Sequence, residues 1–191
     1  MQHLGLFGGS FDPVHLGHLL VAEAAREELS LSRLFLIPAA RSPFKPERQP
    51  TPAKERLALL RLALAGKEWC DIDEQEIKRG GISYTIDTAR DYRRRFPQSE
   101  LFYLIGADHV SELPKWREAS ELARLLEFVA IPRPGQTAAP FPAPFRGRTL
   151  AGFPLGLSSS QIRARVKGGL TIDNLVPAAV AEAIQNNRLY L

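Results

Sequence analysis

The chain has 191 residues, 45% of them apolar and 24% charged, a balance that suits one folded domain over 1–191 and excludes disordered and fibrous classes. Its one cysteine, Cys70, excludes an intrachain disulfide framework, and no apolar run has the length of a membrane span or the setting of a signal peptide, so a cytoplasmic protein is expected. The formal charge of +4 is mild: Arg93-Arg94-Arg95 and Arg146-Gly147-Arg148 lack the interleaved aromatics of a nucleic-acid binder and read as solvated faces.

Leu4 to Phe7 is a short apolar run of the kind found in buried strands. The stretch after it, Gly8-Gly9-Ser10-Phe11-Asp12-Pro13-Val14-His15-Leu16-Gly17-His18, leads into an amphipathic helix over Leu16 to Leu29. A glycine pair after a strand lets the backbone turn tightly and approach a ligand. Asp12 before Pro13 reads as a helix start, a capping carboxylate followed by a residue whose missing N–H costs nothing there. Free N–H groups and the positive end of the helix dipole would then face an anion. His15 and His18, three apart, point the same way on a helical turn. These features describe a phosphate site with two extra donors. A zinc pair ranks last, because no third ligand stands at a suitable spacing.

Leu34 to Ile37 is a second strand, stopped by Pro38, and Pro38 to Pro52 is a loop by its prolines, with Arg41, Lys45 and Arg48 along it. Ala53 to Ala65 reads as a helix ended by Gly66, on which Arg56 is an ordinary surface residue. Cys70 to Ile77 alternates as an edge strand would, and a turn from Lys78 to Thr85 opens a helix over Ile86, Ala89, Tyr92 and Phe96. Leu101 to Ile105 is a third buried strand with Gly106-Ala107-Asp108-His109 at its end. A loop carrying Pro114 and Trp116 leads to a helix from Glu118 to Leu126 and a strand from Phe128 to Ile131. Pro132 to Pro154 shows little periodicity beyond a weak strand near Leu150. Ser158 to Lys167 reads as a helix opened by a Ser158–Gln161 capping box, and Pro177 to Asn187 as a closing helix.

Alternating strands and helices predict an α/β, Rossmann-like, doubly wound parallel sheet with helices on both faces and a small C-terminal helical extension. Ligands of such sheets bind beyond the strand ends where the strand order reverses. Setting the first and third clear strands side by side brings Gly8-Gly9 next to Gly106-Ala107-Asp108.

Gly8 to His18 resembles the GxFDPxHxGH signature of the nucleotidylyltransferase superfamily, and Leu157-Ser158-Ser159-Ser160-Gln161-Ile162-Arg163 resembles its ISSTxIR signature, with Leu for Ile and Ser for Thr. Gly81 to Thr88, and Leu104 to Asp108 with Leu113 to Arg117, are similar to the bacterial nicotinate-nucleotide adenylyltransferases; only Gln136 to Gly156 shows no likeness. The resemblance implies transfer of the adenylyl group of ATP to nicotinate mononucleotide, giving deamido-NAD and pyrophosphate, with Mg2+ carried by the ATP phosphates. A mononucleotide phosphate is largely dianionic near neutral pH and needs no general base. Catalysis then reduces to alignment and charge stabilisation.

By the same resemblance His15, His18 and Arg163 are the catalytic donors. Gly8, Gly9, Ser10, Gly106, Asp108, Ser158 and Ser159 join them around ATP, Asp108 serving either the nucleoside or as a cap for the following helix. Lys45, Tyr84, Thr85 and Trp116 fall to the mononucleotide: an indole face stacks on a pyridine ring, and N–H groups at a helix start receive a carboxylate better than an amide. The expected partners are ATP and nicotinate mononucleotide, with no nucleic acid and no membrane; a homo-oligomer stays open. Phosphopantetheine and nicotinamide mononucleotide are the rival substrates, and a non-catalytic nucleotide sensor is the rival of another class.

Overall fold

The computed structural model describes residues 2–44, 49–135, 139–152 and 155–191. Six strands, β1 (His3–Gly9), β2 (Arg33–Pro38), β3 (Cys70–Ile72), β4 (Glu100–Gly106), β5 (Glu127–Ile131) and β6 (Gly147–Thr149), form one parallel sheet in the order β3-β2-β1-β4-β5-β6. Between them run the helices α1 (Leu16–Glu28), α2 (Ala53–Leu64), α3 (Gln75–Arg79), α4 (Thr85–Arg95) and α5 (Ala119–Leu125) and a 3₁₀ helix over Ala107–Lys115, and α6 (Ser159–Lys167) and α7 (Ala178–Asn186) follow β6. Among the described residues no helix is long and apolar enough to cross a membrane.

Side chains alternate across the sheet and so build two cores. Phe7, Leu34, Leu36, Phe102, Leu104 and Val129 pack with residues of α1, α2, α6 and α7 on one face. Leu4, Leu6, Phe35, Ile37, Tyr103, Ile105 and Phe128 pack with α4, the 3₁₀ helix and α5 on the other. Burial on both faces explains why the central strands read as continuous apolar runs. β1 does pair with β4 in register, Phe7 opposite Leu104, so the strand order reverses between them as expected.

Two local expectations change and a third is met. The edge strand expected over Cys70–Ile77 ends at Ile72, and Gln75–Arg79 is helical. Asp73 is the cause: its carboxylate accepts from the Gln75 backbone N–H (3.0 Å) and Gln75 Nε2 (3.1 Å), turning the chain off the sheet edge. The loop expected around Pro114 is the end of the 3₁₀ helix. The weak strand near Leu150 is β6, three residues paired to β5, with the Leu150 N–H donating to Ala130 O at 3.0 Å.

Asp73 also accepts from Tyr92 Oη and from Arg95 Nη1, each at 2.7 Å, and so fastens α4 to the start of α3. Burial alone would raise its pKa; bonds from Tyr92, Arg95 and the Gln75 amide outweigh burial and lower it. Asp73→Ala should therefore cost about 1–3 kcal/mol by urea unfolding at pH 7. A carboxylate with a lowered native pKa stabilises above its unfolded pKa of about 3.9 and loses that contribution as pH falls below it. The gap between the two proteins should accordingly narrow in acid.

Candidate active site

Where β1 and β4 diverge, a cleft of about 790 Å³ opens beyond their carboxyl ends. It is bounded by the end of β1, the first turn of α1, Gly106, residues 131–134, Leu150, Gly152, residues 155–157, and the first turn of α6. Of the residues expected at ATP, Gly9, Ser10, His15, His18, Gly106, Ser158, Ser159 and Arg163 line it together. Gly8 does not: a Cβ there would lie 2.5 Å from the Tyr103 hydroxyl, so this glycine makes room for a sheet residue. Asp108 stands at the mouth, paired with Arg133 at 3.1 Å rather than capping the 3₁₀ helix by its side chain.

The helix start differs from the expected one. α1 begins at Leu16, with His15 in extended conformation as its N-cap, and not at Asp12-Pro13. Its Leu16 N–H is not open to an anion, because it donates to Leu175 O at 3.0 Å. The cap is made within the histidine pair. The His15 backbone N–H donates to His18 Nδ1 at 3.2 Å, and the two rings stack with centroids 3.7 Å apart. Phe11, buried and edge-on to His18 at 4.9 Å, fixes the second ring from behind. Gly17 completes the motif: a Cβ there would sit 3.0 Å from His15 Nδ1, where no side chain fits without moving the ring.

This geometry sets the protonation of both imidazoles. Burial pushes the His15 pKa down to about 4, and burial followed by the proximity of His15 holds His18 well below its ordinary value. Both rings are neutral at pH 7. Because His18 Nδ1 accepts a backbone N–H, its proton resides on Nε2, and Nε2–H is the donor it offers. Among the described residues His15 Nδ1 is buried without a hydrogen-bond partner.

α6 is opened by the expected capping box: the Ser158 N–H donates to Gln161 Oε1 at 2.8 Å, and the Gln161 N–H donates to Ser158 Oγ at 3.3 Å. Ser159 Oγ donates to Pro13 O at 2.9 Å, so this hydroxyl staples α6 to the loop of β1. Arg163 lies over the same loop, donating to Asp12 O and, at 2.8 Å, to Ser160 Oγ, with Asp12 Oδ2 at 4.0 Å. Asp12, expected as a cap, is buried instead, accepting from the Thr51 N–H at 3.4 Å. Burial and the Asp12 charge raise the pKa of the neighbouring Tyr190 hydroxyl.

Tyr84, Thr85 and Trp116 form a second group outside this cleft, and Lys45 lies outside the described residues. Thr85 opens α4, its Oγ1 donating to Tyr103 Oη at 3.4 Å. The Tyr103 hydroxyl thus stands between Gly8 and Thr85. Arg117 lies over the Tyr84 ring at 4.8 Å. Trp116 packs edge-on to Phe128 at 5.9 Å and faces Phe44 at 5.4 Å, while Phe44 stacks on His109 at 4.5 Å. The backbone joins the group to the β2–α2 connection through Ala40 N–H to Ser83 Oγ and Ser83 N–H to Arg41 O, both 2.9 Å.

Arg56 is the main residue that sequence reasoning misplaced: it is 1% exposed, not a surface residue. Its position was readable, since Arg56, Leu60, Ala63 and Leu64 share the buried stripe of α2. Phe44 and Arg133 were also missed, and their partners come from segments far along the chain. No group of three or more His, Cys, Asp or Glu among the described residues is placed to hold a metal ion.

Residues 6–165 match the cytidylyltransferase-like family model. A protein of Opitutus terrae described as a "probable nicotinate-nucleotide adenylyltransferase" is 40% identical over 190 residues, 98% of this chain and 97% of its own. One of the same description from Thermus thermophilus is 41% identical over 189 residues, 99% of this chain and 100% of its own. In fold, the nicotinic acid mononucleotide adenylyltransferase of Plasmodium falciparum superposes with a TM-score of 0.82 at 16% identity, covering 100% of this chain and 98% of that one. With its switch-point cleft, paired histidines and α6 arginine in one place, the chain belongs to the cytidylyltransferase-like family, beside relatives named nicotinate-nucleotide adenylyltransferases.

Proposed function

We infer that this enzyme transfers the adenylyl group of ATP to the 5′-phosphate of nicotinate mononucleotide, forming deamido-NAD and releasing pyrophosphate. The observation that carries the reading is the pair of stacked, neutral histidines lining, together with Arg163, a cleft at the sheet's switch point. An oxygen of the mononucleotide phosphate bonds to the α-phosphorus of ATP while the bond from that phosphorus to the α–β bridging oxygen breaks. The nucleophile brings its own charge, so no proton need be abstracted. Charge accumulates on the bridging oxygen and the departing pyrophosphate. His18 Nε2–H and the His15 ring donate hydrogen bonds there as neutral imidazoles, and the Arg163 guanidinium supplies the positive charge. Magnesium enters as part of the substrate, carried on the ATP phosphates.

The pyridine end falls to the second group. The N-terminus of α4 at Tyr84–Thr85 offers backbone N–H groups to the nicotinate carboxylate, and the Trp116 face offers a surface for the ring. An amide in that place would set its own N–H groups against donors, which favours the acid. Relatives with the same described activity span the whole chain, and the Plasmodium neighbour is complexed with NaAD, which supports this choice over phosphopantetheine.

Pyrophosphate release with ATP, magnesium and, in turn, nicotinate mononucleotide, its amide and phosphopantetheine tests the reading. Turnover should be fastest with the first; activity confined to either other would exclude it, and none with any would favour a sensor. His18→Ala should lower kcat by roughly a hundredfold or more, the scale for losing one donor at a developing charge. The histidines also predict a pH signature. A histidine whose native pKa lies below its unfolded value weakens the fold as pH drops from about 6.5 to 4, on the order of 3 kcal/mol for His15. His15→Asn should flatten that part of the stability curve. Bound ATP should oppose the loss, so its shift of Tm should be larger at pH 5 than at pH 7.5.

A further inference from the structure

Arg56 is the largest side chain that the fold buries almost completely, and every hydrogen bond described for it ends on a backbone carbonyl. Nε donates to Thr51 O at 2.9 Å, and Nη1 donates to Ser10 O at 2.8 Å and Ala39 O at 2.9 Å. The three acceptors belong to two connections of the chain, the β1–α1 loop and both ends of the β2–α2 connection. Ser10 follows β1 and lines the cleft; Ala39 and Thr51 begin and end the connection from β2 to α2. Desolvating a guanidinium is costly, and its planar fork fixes where its acceptors must lie. A residue buried on these terms specifies geometry.

The Ser10 contact bears directly on phosphate binding. Carbonyl and N–H point opposite ways across a trans peptide, so holding Ser10 O on Arg56 turns the Phe11 N–H away from the guanidinium, and both residues of this peptide line the cleft. Phe11 has a φ of +46°, a left-handed conformation that a bulky residue adopts only when its surroundings impose it. The other two contacts hold Ala39 and Thr51, between which Ser42 and Pro50 also line the cleft. Thr51 is gripped twice, because its N–H donates to Asp12, which Arg163 overlies.

We propose that Arg56 is a positioning residue for adenylyl transfer: one guanidinium sets the Ser10–Phe11 peptide and both ends of the β2–α2 connection in a single frame, so that the two reacting phosphates meet in line. This rests on the reading of the cleft as the phosphate site, and wild-type turnover with ATP and nicotinate mononucleotide tests that reading separately. Arg56→Lys keeps the charge and most of the volume but loses the fork. Assayed well below its own Tm, it should lose kcat on the order of a hundredfold, the scale for a misplaced reactant, and raise the KM for the mononucleotide more than that for ATP. A role confined to stability would lower Tm and leave kcat unchanged. Folded Arg56→Lys with kcat and both KM values as in an active wild type would overturn the proposal. A second measurement uses the native protein. The ¹⁵N-resolved Arg56 Nε–H should exchange slowly and shift when ATP alone, or nicotinate mononucleotide alone, is added. A resonance unmoved by both would overturn the proposal even if Arg56→Lys never folds.

Discussion

The parallel pairing of β1 with β4 is the constraint on which the rest of this structure depends. The chain leaves β1 for the α1 face of the sheet and leaves β4 for the opposite face, so nothing in either connection closes the gap between the two strand ends. The gap exists because of connectivity, before any side chain is considered. Glycines at the two rims, Gly9 and Gly106, leave it open, and the first turns of α1 and α6 line it together.

Electrostatics within that gap are divided by burial. The histidines are kept uncharged by the apolar material around them, with Phe7 and Phe11 against His18. The cationic charge comes from arginines: Arg163, anchored to Asp12 and Ser160, and Arg133, paired with Asp108, both line the cleft. This division suits a reaction whose nucleophile arrives ionised. Donors are required and a base is not.

What was legible in the sequence was what is local. The string from Gly8 to His18 announced a strand–loop–helix turn, Ser158 with Gln161 announced a capped helix, and three apolar runs announced the central strands. The adjacency of β1 and β4 followed from fold class and a shared glycine ending. Asp12 was misread because Asp-Pro is a common helix start, whereas its real partners, Thr51 and Arg163, are distant in sequence. Asp73 was missed for the same reason: alternation over Cys70–Ile77 favoured a strand, and the bonds that end it come partly from Tyr92 and Arg95. Arg56 lay on a readable apolar stripe, but the carbonyls that justify a buried guanidinium are spread over two loops and up to 46 residues away in sequence. Residue type and spacing reveal what a segment offers, and only the fold reveals what meets it.

The hydroxyl of Tyr103 couples two regions that otherwise have separate tasks. It fills the space left by Gly8 and accepts from Thr85, so one strand of the sheet ties the carboxyl end of β1 to the N-terminal end of α4. Any side chain at position 8 would have to displace that hydroxyl and with it the threonine that opens α4. Positions 8, 103 and 85 are therefore free to vary only as a set, and the span between the two ends is held by the least deformable part of the molecule.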